Sequence, residues 1–220
     1  MKAGDIIILG AVLALGVCAR ATAAIPPVQA CAAAGRAAEQ AAALPADLLL
    51  AIGLVESGRA DTSSGHLAPW PWTVNVDGAG RFFADEAAAI SFVRLAQSSG
   101  ARDVDVGCFQ ISLRDHPHAF ATLADAFDPA QNANYAAGFL VQLHGRTGSW
   151  DSAIADYHSA TPELGLPYER RVLAAWHGHG DTGPAAQDPY VILQSPAARL
   201  VHVYTMDDQP RAGLPRVITP

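Results

Sequence analysis

Apolar positions are densest between Ala46 and Ser57, where Leu48-Leu49-Leu50-Ala51-Ile52-Gly53-Leu54-Val55 admits no polar residue before Glu56. A run with no polar face predicts a helix buried all round, central to the core. Pro45 is expected in its first turn, where a missing N–H costs nothing, and Gly58 is expected to close it in the left-handed conformation. An Ala-rich stretch from Val28 to Ala43 predicts a preceding helix, broken at Leu44-Pro45. The pattern then changes to Trp70-Pro71-Trp72-Thr73-Val74-Asn75-Val76, Asp77-Gly78 and Ala79-Gly80-Arg81-Phe82-Phe83. Two aromatic and β-branched runs around Asp-Gly predict a hairpin. Asp85 fits as the N-cap of a helix through Gln97, with Gly100 past its end, and Arg102 to Val106 adds a third strand. Helical patterns return from Asp128-Pro129 to about His144, from Trp150 to Tyr157 and from Tyr168 to Trp176. Several helices with one small antiparallel sheet make an α+β fold, mainly α.

The two ends read differently. Lys2, the apolar run Ile6 to Ala19 and the small residues Ala21-Thr22-Ala23-Ala24 follow the order of a secretory signal peptide over residues 1–24. The run is about 14 residues, short of the roughly 20 that span a membrane. The mature chain is therefore expected to be soluble, exported and off the membrane once the signal is cleaved, with a retained N-terminal anchor as the alternative. Residues 25–177 form the expected domain. Residues 178–220, rich in Gly and Pro, read as an extended tail; at the junction His177 and His179 fit a solvated linker better than a metal site.

Composition narrows the function. Half of the 220 residues are hydrophobic, which excludes a disordered chain, and 14 Lys+Arg against 21 Asp+Glu give a net charge of -7. That balance argues against a general nucleic-acid or anionic-membrane binder. Signal cleavage removes Cys18 and leaves Cys31 and Cys108 in an oxidising compartment, where one pairing is open to them. A bridge would stabilise the fold by roughly 4 kcal/mol; two buried free thiols are the alternative.

Three segments carry candidate chemistry. Glu56 ends the most apolar helix, with Gly53 and Ile52 on its own face. Buried there, its carboxyl pKa would rise toward that of a general acid working near neutral pH; facing water, it would be an ordinary helix-end charge. Asp105-Val106-Gly107-Cys108-Phe109-Gln110-Ile111 predicts a tight turn that presents the Gln110 amide, a group able both to donate to and to accept from a sugar. Ala155-Asp156-Tyr157-His158 and the later Tyr168 place phenolic hydroxyls near helix ends, as carboxylate partners or as core.

In this order the segments resemble the lytic transglycosylases with the soluble-transglycosylase, goose-type lysozyme-like catalytic domain, over Cys31 to about Trp176. The shared motifs are Glu56-Ser57, the turn ending in Gln110-Ile111, Asp128-Pro129-Ala130-Gln131-Asn132, and Trp150 through Tyr157 leading to Tyr168. The resemblance implies Glu56 as the catalytic acid/base, Ser57 and Gln110 as lining the substrate site, and Tyr157 and Tyr168 as orienting the carboxylate or a sugar. Asn132 looks structural. The family usually has Tyr-Asn-Ala-Gly where this chain has Tyr157-His158-Ser159-Ala160, so His158 takes the place of an amide in the substrate site. Between Glu56 and Gln110 the Trp70 to Phe83 insertion is expected to form one wall of the cleft.

The activity so implied is cleavage of the bond between N-acetylmuramic acid and N-acetylglucosamine in peptidoglycan, in the periplasm, by a monomer that needs no metal or other cofactor. One glutamate first protonates the glycosidic oxygen, then takes a proton from the muramoyl C6 hydroxyl as that oxygen closes a 1,6-anhydro ring. A hydrolytic muramidase on the same fold would instead need a second carboxylate, Asp61, Asp77 or Asp105. A binding or scaffold protein that kept the fold and lost activity is the reading from another class. Trp70 and Trp72 fit core better than sugar platforms, and Arg170-Arg171 fits a solvated helix face. Residues 181–220 are a candidate dock for a secretion-machine or cell-wall partner.

Overall fold

A computed structural model describes residues 25–61 and 64–178 and the backbone of 202–203. The expected signal peptide and nearly all of the expected tail lie outside the described residues. The fold is mixed α/β and mainly helical, with small, mostly antiparallel sheets.

The Ala-rich stretch forms α1 (Pro27–Ala42), closed by Ala43 in the left-handed region at φ 53°. The apolar run forms α2 (Leu48–Ser57), buried along most of its length. It starts two residues later than expected, so Pro45 precedes its first turn. The reason is a cap supplied from α1: the buried Glu39 carboxylate accepts from Leu49 N at 2.6 Å and Asp47 N at 3.1 Å, satisfying N–H groups that a helix start leaves without partners. Burial raises the Glu39 pKa while these bonds oppose the rise. Gly58 also departs from expectation. Its φ is -59°, not left-handed, because the chain runs straight into strand β1 (Gly58–Ala60). Glycine is needed there for space, since a Cβ would collide with the Leu54 carbonyl oxygen.

Strand β1 pairs with β2 (Leu67–Pro69) in a two-stranded ladder. The hairpin forms as predicted: β3 (Thr73–Val76) and β4 (Ala79–Phe82) meet with Val76 opposite Ala79. Asp77 (φ 51°) and Gly78 (φ 84°) are both left-handed, as a two-residue turn that follows the strand twist requires. Helix α3 (Glu86–Ser98) is capped by Asp85, whose side chain accepts from Ala88 N at 2.8 Å. The predicted third strand is β5 (Val104–Val106). With β6 (Ile111–Ser112) and a two-residue β7 (His202–Val203) parallel to β4, the sheet order is β6-β5-β3-β4-β7.

Helix α4 (Leu123–Phe127) has a capping box between Thr122 and Asp125. Next come α5 (Pro129–Thr147), capped by Asp128, and α6 (Trp150–His158), capped by Ser149. The last helix, α7 (Pro162–Gly178), begins well before Tyr168 and carries Pro167 inside it. Its first turn is held by Thr161 O, which accepts from Leu164 N and Gly165 N at 2.9 Å each. Gly165 lets this turn lie against the Ala155 carbonyl of α6 and that of Ser159 just after it.

Two cores result. One joins α1, α2, α5, α6 and α7 through Leu48, Leu49, Ile52, Leu140, Ile154 and Val172, and contains the Cys31–Cys108 disulfide with its Cα atoms 5.6 Å apart. The other fills the space between the sheet and α3 and α4 with Val74, Phe83, Val93, Val104, Val106 and Phe127. Apolar burial of this kind contributes about 25 cal/mol per Å².

Candidate active-site cleft

A cleft of about 290 Å³ has Glu56 from α2, Tyr157 and His158 from α6 and Phe139 from α5 among its lining residues. Asn75, Asp103, Asp105, Ser112 and Arg114 line it from the sheet and the loops beside it, so the hairpin does supply part of a wall.

Glu56 is the penultimate residue of α2, half-buried at the end of the most apolar element. Its carboxyl pKa is pushed up to about 7, chiefly by burial and secondarily by the Asp105 charge, against lowering by the Tyr168 hydroxyl and by Arg171. Near neutral pH a substantial fraction therefore holds a proton, as a general acid requires.

Tyr168 lies behind this carboxyl, 1% exposed. Its hydroxyl makes no hydrogen bond within ordinary limits, yet it interacts with Glu56 strongly enough to shift both groups. The Tyr168 ring is stacked with His158, centroids 4.8 Å apart, and with the Arg171 guanidinium 5.6 Å from its centre. His158 lines the cleft and is exposed, with its pKa lowered by partial desolvation and then by Arg171. Tyr157 lines the cleft as well, but its hydroxyl donates to Phe109 O at 2.8 Å. Its proton ties α6 to the turn before Gln110 and is not directed at the carboxylate.

That turn is built by two left-handed residues, Gly107 (φ 84°) and Gln110 (φ 47°). Only glycine fits at 107, since a Cβ would also collide with the Asn132 side chain. Asn132, fully buried, is the hub: its oxygen accepts from Phe109 N at 2.9 Å, and its nitrogen donates to Val106 O at 3.1 Å and Ala126 O at 2.9 Å. The Gln110 side-chain nitrogen donates to Gly107 O at 3.0 Å and Thr73 O at 3.2 Å. This corrects the expectation of an amide free to donate and accept: the side-chain oxygen alone is left for a ligand.

Ser57 is placed behind the cleft, 1% exposed. Its hydroxyl donates to Cys108 O at 2.6 Å, with Gly53 O at 3.2 Å as a second acceptor, and accepts from Trp70 N at 3.3 Å. It clamps the end of α2 to the turn and to the chain after β2, and does not line the cleft as expected. Trp70 and Trp72 are packed edge to face away from the cleft, with Arg59 over the Trp70 ring and Trp70 Nε1 donating to Phe83 O at 2.7 Å.

Of the three candidate second carboxylates, Asp105 alone lines the cleft; Asp77 is in the hairpin turn and Asp61 borders a separate pocket with Arg59 and Trp70. The Asp105 pKa is raised to about 6, first by burial, then by Asp103, while a Ser112 hydrogen bond lowers it. The alternation Val104-Asp105-Val106, with both valines buried, was the available signal that Asp105 faces away from the core. His116 also lines the cleft, with Nδ1 2.9 Å from Tyr135 Oη; it lies in an irregular segment, where no periodicity marks it.

Comparison of the chain with protein-family profiles, with curated proteins and with solved structures returned no match.

Proposed function

We propose that this chain is a peptidoglycan lytic transglycosylase on a lysozyme-like fold, acting in the periplasm with Glu56 as its single acid/base. The observation that carries the reading is a carboxyl at the end of an apolar helix, opening into a polar cleft, with a pKa of about 7. Protonated Glu56 donates to the glycosidic oxygen as the bond to C1 breaks. The resulting carboxylate, stabilised by the Tyr168 hydroxyl and Arg171, then removes the proton from the C6 hydroxyl as that oxygen bonds to C1. No water is consumed, and Glu56 ends protonated.

One observation favours a second reading on the same fold. Asp105 borders the same cleft as Glu56, and hydrolysis ordinarily takes two carboxylates, one of them activating water or attacking C1. The two chemistries differ by one water in the product.

Mass spectrometry of peptidoglycan digested by the mature protein separates them. The expected result is anhydro-muropeptides, about 18 Da lighter than hydrated products through the missing water, and none from Glu56→Gln. Hydrated reducing ends would assign hydrolysis. Glycan binding without products from either protein would support the scaffold reading.

A further inference from the structure

The register of the sheet places three polar side chains in one line. Asn75 on β3 stands opposite Asp105 on β5, which stands opposite Ser112 on β6. Their chain neighbours Val74, Val104, Val106 and Ile111 are buried, so the two-residue alternation sends the row to the other face, where all three line the cleft. Three strands at about 4.8 Å spacing make a row roughly 10 Å long, enough to meet more than one sugar ring. The arginine that lines the cleft is engaged elsewhere: Arg114 pairs with Asp115 at 2.9 Å and Asp103 at 3.5 Å. Asp105 is left with the Ser112 hydroxyl as its hydrogen-bond partner, a partly buried carboxylate that faces open space and still has lone pairs to fill.

We propose that Asp105, at the centre of the Asn75–Asp105–Ser112 row, is a substrate-positioning carboxylate that accepts from a hydroxyl or acetamido N–H of a neutral N-acetylglucosamine unit, opposite the catalytic Glu56. This rests on the peptidoglycan reading of the cleft. The sign of the charge selects the unit: a carboxylate repels the muramoyl sugar, which carries either the carboxylates of its stem peptide or, where the peptide is absent, a free lactyl carboxylate, and accepts the uncharged one. On one side Asn75 keeps its amide nitrogen as a donor for a sugar, its oxygen accepting from Gly78 N at 2.9 Å; on the other Ser112, which accepts from Asp115 N at 3.2 Å and turns its proton to Asp105, holds the carboxylate in place.

The test is isothermal titration of a tetrasaccharide of N-acetylglucosamine into Glu56→Gln and into the same protein carrying Asp105→Asn. Loss of a charge-assisted hydrogen bond is expected to weaken binding about tenfold. Ser112→Ala, which shortens the row without touching the charge, is expected to weaken it about threefold and serves if Asp105→Asn fails to fold. In the active protein Asp105→Asn is expected to raise KM and, because the charge that helps keep Glu56 protonated is lost, to move the alkaline limb of kcat to lower pH, with the anhydro product retained. Equal affinity with and without Asp105 overturns the proposal alone. So does a switch in which hydrated products vanish while anhydro products persist, since Asp105 would then be activating water. Saccharide binding with no cleavage by the native protein refutes the transglycosylase reading and leaves the positioning role standing; no binding by Glu56→Gln overturns both.

Discussion

The two sides of the cleft treat the same functional group differently. On the helical side Glu56 closes an almost wholly apolar helix and is backed by the Tyr168 ring; its carboxyl rises to about 7. On the sheet side Asp105 is held between two polar cross-strand neighbours, and its carboxyl rises to about 6. Burial is the leading cause in both, and a hydroxyl offsets it in each, from the buried Tyr168 ring at Glu56 and from the cross-strand Ser112 at Asp105. The comparison teaches that an apolar helix end yields a proton donor, while a polar strand row yields an acceptor, and that the acceptor's charge helps keep the donor protonated.

The largest way to break this contrast is to remove the disulfide. Cys31 belongs to α1 and Cys108 to the turn that carries Gln110 and whose carbonyl receives the Ser57 hydroxyl, so the bridge fastens the sheet side's loop to the helical core. Replacing both cysteines with alanine should cost roughly 4 kcal/mol for a loop of this length, seen as a lower midpoint in denaturant titration. Activity should fall further than the unfolded fraction explains, because the turn loses one of its anchors. Retained activity under reducing conditions would show that the hydrogen bonds from Asn132, Ser57 and Tyr157 hold the turn without the bridge.

The next effect concerns Glu56 itself and sharpens the contrast as a function of pH. Its folded-state pKa of about 7 exceeds the ordinary value of 4.5, so between these two pH values the native protein binds more protons than the unfolded chain. Stability contributed by this group is therefore full below pH 4.5 and is lost as pH rises through 7. Glu56→Gln should abolish turnover and yet unfold at higher denaturant than the native protein at pH 8, by up to about 3 kcal/mol, with little difference at pH 4. A native protein equally stable at both pH values relative to the variant would mean that the carboxyl is not desolvated.

Much of this was legible in the sequence, and for definable reasons. The buried α2, the Asp-Gly hairpin, the Asp85 cap and the helix start at Asp128-Pro129 each follow from a local rule whose residues lie within a few positions of one another. What was not legible depends on partners distant in sequence. The start of α2 is fixed by Glu39 from another helix, Gly58 is needed for the Leu54 carbonyl and not for a left-handed turn, and α7 begins before Pro167 because α6 and Thr161 hold its first turn. At the site, Glu56, Gln110, Tyr157 and His158 are brought together in the sequence by the family resemblance alone, and all four line the cleft, whereas Tyr168 lies behind it. The roles of Ser57 and of the Gln110 amide nitrogen went the other way because nearby carbonyls consume their protons, a matter of angstroms that no pattern encodes. Asp105 was within reach through strand alternation, but its coupling to Glu56 required the third dimension.

The smallest change tests whether the helical side works through the ring or the hydroxyl of Tyr168. The ring is buried core, stacked against His158, and Tyr168→Phe keeps it. The hydroxyl forms no full hydrogen bond, so deleting it should change stability by less than about 1 kcal/mol and in the stabilising direction, since an ill-satisfied buried polar group is removed. Its effect on chemistry has a definite sign. The hydroxyl favours ionised Glu56, and without it the carboxyl pKa rises above about 7, which moves the alkaline limb of kcat/KM to higher pH. The same loss weakens the carboxylate's support in the second half-reaction, so kcat on the acid side of the limb should drop modestly. A limb shifted to lower pH would mean that the hydroxyl favours the protonated carboxyl and accepts from it; an unmoved limb would mean that Tyr168 acts only as packing, and would leave the ring, with Arg171 over it, as the helical side's whole contribution.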